Sequence, residues 1–173
     1  DGADPQAARP GVIAAPRRSF TVPLQGRAPL VLGPRTLVMG VINVTPDSFS
    51  DGGRALDPAQ ARDLAQAMAA SGADIIDVGA ESTRPGATPI GAAEEIARVE
   101  PALKAIAAAV AIPISIDTYK ASVASVALEC GAAIVNDISA FEYDPALGRL
   151  VAERGVPAIL MHTRGRPDDM YAH

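Results

Sequence analysis

From residue 37 onward the chain alternates between two apolar patterns. Short, nearly unbroken apolar runs rich in Val and Ile occupy residues 37–44, 74–80, 113–118, 132–138 and 156–162. Such runs, lacking strict apolar–polar alternation, predict strands covered on both faces, as in a parallel sheet. The segments between them keep helical spacing instead. Ala61, Leu64, Ala65 and Met68 share one face behind an Asp57-Pro58 start, with Gly72 as the stop. Ile96, Val99, Leu103, Ile106 and Val110 form the stripe of a second helix, with Pro101 as an expected kink. Val123, Val126, Ala127 and Cys130 mark a third, ended by Gly131. Asp144-Pro145 opens a fourth, with Leu147, Leu150 and Val151 inward and Gly155 at its end.

Strand and helix alternating at this short spacing predict βαβ units with right-handed crossovers. Doubly wound sheets and (β/α)8 barrels both satisfy the pattern. A dinucleotide-binding sheet would carry G-x-G-x-x-G behind its first strand, and the segment after Asn43 has none, so a barrel is preferred. Five strands cannot close an eight-stranded barrel of about 250 residues, so the chain reads as the first part of one. Ahead of the repeat, residues 1–18 mix Ala, Pro, Gly, Asp and Arg without period and are expected to be a flexible N-terminal segment. Residues 19–24 and 29–32 flank Gln25-Gly26-Arg27 and predict a short hairpin.

Composition narrows the picture. Apolar residues make up 49% of the 173, but aromatics only 3%, so the core is aliphatic. The 15 basic and 20 acidic residues leave a net charge of −5 with no basic stripe, which argues against a nucleic-acid partner. Cys130 is the sole cysteine, so no intrachain disulfide is expected and a reducing compartment is. There is no charged-then-apolar leader and no apolar run near the roughly 20 residues that span a membrane. A cytoplasmic protein without a membrane partner is the expectation. Processing or truncation would explain the start at Asp1, and the finish at His173, just as another polar loop begins, favours truncation.

Each strand run ends in polar residues. Asn43 is followed by Asp47, Ser48, Phe49 and Asp51; Gly79 by Glu81, Ser82, Thr83, Arg84, Pro85 and Gly86. The other runs end at Asp117-Thr118, Asn136-Asp137 and Met161-His162. In parallel α/β folds these carboxyl ends form the ligand face. Singly, each has an ordinary explanation. Asp117 could cap the next helix, Asn136 and Asp137 could satisfy nearby backbone, and Arg84 could pair with Glu81. His162 fits a hydrogen-bonded strand end, and Cys130 fits inert core. As a set they say more. A carboxylate and a carboxamide, Asp117 and Asn136, suit a flat hydrogen-bonding heterocycle. Ser82, Thr83 and Arg84 suit a phosphate group, and Asn43 offers a neutral oxygen to a hard cation such as Mg2+. Together they imply a phosphorylated leaving group.

The strings Met39-Gly40-Val41-Ile42-Asn43-Val44-Thr45-Pro46-Asp47-Ser48-Phe49-Ser50-Asp51-Gly52-Gly53 and Asp77-Val78-Gly79-Ala80-Glu81-Ser82-Thr83-Arg84-Pro85-Gly86 closely resemble the two signatures of the dihydropteroate synthases. The resemblance continues through residues 114–118, 134–138 and 160–162, and covers the chain from about Ser19 to its end. It implies an α/β fold, a (β/α)8 TIM barrel, present as an N-terminal hairpin plus about five strand–helix units. The pterin-binding domain would span residues 19–173 and be incomplete at its C-terminus. The implied activity is transfer of a pterinylmethyl group in folate biosynthesis. In that reaction 6-hydroxymethyl-7,8-dihydropterin diphosphate and 4-aminobenzoate give 7,8-dihydropteroate and diphosphate, and sulfonamides compete for the site. By resemblance, Asn43 takes the Mg2+-associated role, and Thr83 and Arg84 hold the diphosphate. Asp117 and Asn136 would bond the pterin ring, with Ile138 and Met161 packed against it, while Phe49 and Pro85 help form the aminobenzoate pocket. Asp117 and Arg84 are the expected catalytic residues.

The family's later groups are absent: a second pterin-binding Asp, a Gly/Phe-rich loop ending in Lys, a Ser-Arg-Lys segment and a final Arg. The fragment by itself is therefore expected to be inactive, and the reading allows a homodimer at full length. Ala80 stands where the family often has Gly. Two other readings compete. A methyltetrahydrofolate-dependent corrinoid methyltransferase shares the pterin-facing Asp and Asn but has no diphosphate to bind, and a non-catalytic pterin-binding homologue would not need the intact set.

Overall fold

A computed structural model describes residues 17–45, 57–81 and 89–163. The expected hairpin is present. β1 (Phe20–Val22) and β2 (Leu30–Leu32) pair antiparallel, with Phe20 opposite Leu32. There follow β3 (Met39–Asn43), α1 (Pro58–Ala70), β4 (Ile75–Gly79), α2 (Ala92–Ala107) and β5 (Ile114–Asp117). The described part ends with α3 (Ala121–Glu129), β6 (Ile134–Asp137), α4 (Pro145–Arg154) and β7 (Ala158–Leu160). The apolar runs overshoot the paired strands by one or two residues at each end, because hydrophobicity persists into the connections after ladder pairing has stopped.

The five later strands pair in parallel in the order β3-β4-β5-β6-β7. That order decides the architecture. A doubly wound sheet reverses direction at a switch point, whereas here every crossover adds its strand on the same side. The helices follow suit, α1 packing on α2, α2 on α3 and α3 on α4. The expected barrel is thus an arc of five strands lined outside by four helices, among the described residues.

Local signals explain the helix ends. Asp57 accepts from the Ala59 amide at 2.7 Å, and Gln60 reaches back to the Asp57 amide, a full capping box with Pro58 in the first turn. Asp144 caps α4 through the Ala146 amide at 3.0 Å, and Gly155 stops that helix in the left-handed region at φ 60°. α2 continues through Pro101. Two helix positions differ from expectation. Leu64 is 41% exposed, because α1 packs through Ala61 and Ala65 and its far flank has no helix against it among the described residues. On α3 the inward face is Val123, Ala124 and Ala127, with Val126 only half-buried.

The main core lies between sheet and helices: Ile42, Ile76, Val78, Ile114, Ile116 and Val135 against Ala61, Ala65, Val99, Leu103, Ile106 and Leu147. The opposite strand face turns into the arc. At its amino end Leu24 and Leu30 from the hairpin pack with Met39, Ile75, Ala133 and Ile134, so the hairpin plugs the floor. Cover on both faces holds for β4, β5 and β6. It does not hold at the arc's edges, where Val41 on β3 and Ile159 on β7 are 51% and 38% exposed.

Candidate ligand site at the carboxyl ends of the strands

Parallel register turns separate strand ends into one surface. Asn43 pairs with Gly79, Gly79 with Asp117, Asp117 with Asn136, and Asn136 with Ile159. One layer deeper, Val41, Asp77, Ser115 and Ile134 form a second row. Since side chains alternate across a strand, both rows share the inner face. Of the expected site residues, Asn43, Asp117 and Asn136 are therefore brought together. Ile138 lies in the turn after β6 and is buried, while Met161 lies just past β7 and is 48% exposed.

Asp117 is not a helix cap: the cap position of α3 is Lys120, which has no side-chain cap bond, and the Ala121 amide donates to Asp144 at 2.8 Å. Gly79 gives the carboxylate room. A Cβ there would lie 3.3 Å from Asp117 Oδ2 and 3.4 Å from its Cβ. Burial, then the charges of Asp77, Glu95, Asp137 and Glu81, push the Asp117 carboxyl up from 3.8 to about 7. Such a group can change protonation when a ligand's charge changes beside it.

Reading the strand ends misses Asp77, which the register places one row below on the same inner face. The residue is 3% exposed. Oδ2 accepts from the Asn136 carboxamide nitrogen at 3.1 Å, so Asn136 on β6 is tied across β5 to β4 rather than to local backbone. Asp77 Oδ1 and the Ser115 hydroxyl are both buried without a bond of good geometry, although Ser115 lies close enough to draw the Asp77 carboxyl down slightly. Burial outweighs that and raises it overall. A signal was available: Asp77 is the one acid inside the run Ile75-Ile76-Asp77-Val78-Gly79, on the same alternation as Gly79.

Glu81 does not depend on Arg84 for a partner. Lys120 bridges Glu81 and Glu95, reaching Glu95 at 2.6 Å, and Tyr119 donates to Glu81 at 2.7 Å. Glu95 is 1% exposed, and the ammonium also lies 4.5 Å from the Tyr119 ring centre. Desolvation lowers the Lys120 pKa, but the two carboxylates outweigh it and raise it overall. This buried cluster anchors the end of β4 to the starts of α2 and α3. For Asp137 the ordinary reading holds. Its carboxylate accepts from the Ser139 amide and hydroxyl and from the Phe141 amide at 2.6 Å, shaping a turn with Ala140 and Phe141 at φ 53° and 69°. His162 is exposed. Cys130 ends α3 half-buried against the core, and burial raises its thiol. Phe49, Thr83, Arg84 and Pro85 lie outside the described residues.

Among the described residues no three His, Cys, Asp or Glu side chains gather to hold a metal. Asn43 supplies one neutral oxygen at the rim of the row. That donor set fits a Mg2+ ion whose other ligands are waters and phosphate oxygens, and does not fit a protein-enclosed metal centre.

Comparison with known proteins fixes the kinship. Residues 39–173 match the family model described as pterin binding enzyme. The chain belongs to the pterin binding enzyme family. It is similar to the dihydropteroate synthase of Bacillus subtilis (strain 168), 52% identical over 132 residues, which is 75% of this chain and 46% of that protein. Two solved structures resemble this chain. A Yersinia pestis dihydropteroate synthase with a sulfonamide drug complex has a TM-score of 0.78 at 41% identity, with 89% of this chain and 55% of that one covered. A Xanthomonas albilineans dihydropteroate synthase with 4-aminobenzoic acid has a TM-score of 0.74 at 41% identity, with 86% and 53% covered. The chain spans about half the length of the relatives it matches. No helix among the described residues is long and apolar enough to cross a membrane.

Proposed function

We propose that this chain forms the pterin side of a dihydropteroate synthase. Completed by the remaining barrel strands, it would join 6-hydroxymethyl-7,8-dihydropterin diphosphate to 4-aminobenzoate and release diphosphate. The observation that carries the reading is the register row Asn43, Gly79, Asp117, Asn136 at the carboxyl ends of the sheet, in a family whose relatives bear that name. The 4-aminobenzoic acid and sulfonamide drug in two solved relatives support the second substrate. The pterin-binding domain would span residues 19–173 and act in the cytoplasm.

The chemistry follows from charge. Loss of diphosphate from an exocyclic CH2 leaves a cation delocalised into the pterin. In this reading Asp117 and Asn136 bond the ring, Ile138 and Met161 pack on it, and Asp117 in its anionic form stabilises the positive charge as it grows. With a carboxyl pushed up to about 7, Asp117 is divided between its two forms near neutral pH, and a developing cation draws it to the anion. Thr83 and Arg84 hold the leaving diphosphate, and Phe49 and Pro85 line the aminobenzoate pocket. A Mg2+ ion bound through Asn43 and phosphate oxygens would supply further neutralisation of the leaving group. The positioned arylamine nitrogen then bonds to the exocyclic CH2 carbon and releases one of its protons to solvent, giving the secondary amine of dihydropteroate.

The test is direct. The full-length protein carrying this chain is incubated with the pterin diphosphate and 4-aminobenzoate, and dihydropteroate and diphosphate are measured. Equimolar formation of both is expected. Absence of dihydropteroate with both substrates saturating refutes the assignment.

A further inference from the structure

Asp77 is a buried carboxylate with no cation paired to it among the described residues. Its nearest polar neighbours are Asn136, which donates to one oxygen, and the Ser115 hydroxyl, with the Asp117 carboxyl in the row above. An uncompensated charge at 3% exposure costs stability, and chains retain such groups chiefly where they act. Its location is specific. Asp77 sits in the row directly beneath Asp117 and Asn136, and its one hydrogen bond runs to the carboxamide of the upper row. A carboxylate only accepts, so the bond fixes which edge of the Asn136 amide carries nitrogen and turns the amide oxygen away from Asp77. It also polarises that amide, making its oxygen a better acceptor.

We propose that Asp77 is a positioning residue of the heterocycle site, holding Asn136 from below and setting a negative charge under the ring so that a heterocycle gaining positive charge is favoured over a neutral one. The inference deepens the synthase reading and rests on it. The neutral ring of the bound substrate gains little from the buried charge, whereas the same ring in the transition state, with positive charge spread over it, gains more. The effect therefore belongs to kcat and not to KM. The upward push that Asp77 exerts on Asp117 is the same field acting on a second group, since it requires Asp77 to be charged first.

The experiment compares wild type with Asp77→Asn, which keeps volume and a hydrogen bond to Asn136 but removes the charge. Steady-state kinetics with both substrates and a urea denaturation midpoint are measured on the full-length protein. In D77N, kcat falls about tenfold or more, both KM values stay within about threefold, and the midpoint rises because a buried charge is gone. A merely structural residue would give the reverse midpoint shift and no selective loss of kcat. Asp77→Glu, which keeps the charge but crowds the row, serves as the second variant: it lowers the midpoint yet retains more kcat than D77N. Wild-type kcat in D77N, or a loss confined to KM, overturns the inference while leaving the synthase reading intact. No product from wild type refutes the synthase reading and the inference with it.

Discussion

Replacing Asp117 by Asn should make the protein more stable and nearly inactive, with a pH signature that isolates the cause. The folded carboxyl lies at about 7, against 3.8 for the ordinary group. Below about pH 4 it is protonated in both folded and unfolded states and contributes nothing pH-dependent. Between pH 4 and 7 the unfolded chain releases its proton while the folded protein keeps it, so stability falls as pH rises. Above about 7 both states are ionised and the whole cost is present. A shift of that size corresponds to about 4 kcal/mol. Asp117 is half-buried at the rim of the arc, where water screens part of the field, so about 2–4 kcal/mol is the expected range. The carboxamide that replaces it carries no such titration. The assay is urea denaturation of wild type and Asp117→Asn at half-unit steps from pH 4.5 to 8.5. The variant's advantage should widen across pH 5–7 and then level off. Turnover should drop by about a hundredfold, with the KM for 4-aminobenzoate nearly unchanged. Parallel stability curves across that range would show that burial and Asp77 do not hold the carboxyl up. Equal losses in kcat and KM would sink its transition-state role.

Further outcomes follow from the same geometry. Gly79→Ala places a methyl 3.3 Å from Asp117 Oδ2, and should cut kcat/KM about tenfold at a stability cost below about 2 kcal/mol, read by kinetics and a thermal melt. Lys120→Met strips the cation from buried Glu81 and Glu95 and should destabilise by about 3–5 kcal/mol; adding Glu95→Gln should recover part of the loss in the denaturation midpoint. Ala140→Gly relieves a left-handed residue in the turn after β6 and should raise stability by about 0.5 kcal/mol, the gain being reduced by glycine's freedom in the unfolded chain.

Several elements could be read directly from residues. The capping pairs Asp57-Pro58 and Asp144-Pro145 act locally, through bonds two or three residues away, so their helices begin where the sequence placed them. The five apolar runs marked the strands; for β4, β5 and β6 the reason is cover on both faces, which leaves few polar residues in a strand's middle. Composition left the choice between barrel and doubly wound sheet to a missing phosphate-loop motif. Only the unbroken order β3 to β7 resolves it, since strand order is a property of long-range pairing that no local pattern encodes.

The candidate site divides the same way. Asn43, Asp117 and Asn136 stood out in the chain because each polar residue ends an apolar run. That they share one row follows from register, and a slip of one residue would turn any of them to the helix side. The ordinary alternatives were also separable only in three dimensions. Asp137, adjacent to Asn136, spends its carboxylate on the turn that follows, while Asn136 reaches across to Asp77, 59 residues away. Sequence alone determined which residue types meet water or core along each element, because that depends on spacing and hydrophobicity. The tertiary structure decided which charges lie beneath which ligand-facing groups, because burial and the proximity of distant strands set protonation, and neither exists until the sheet has formed.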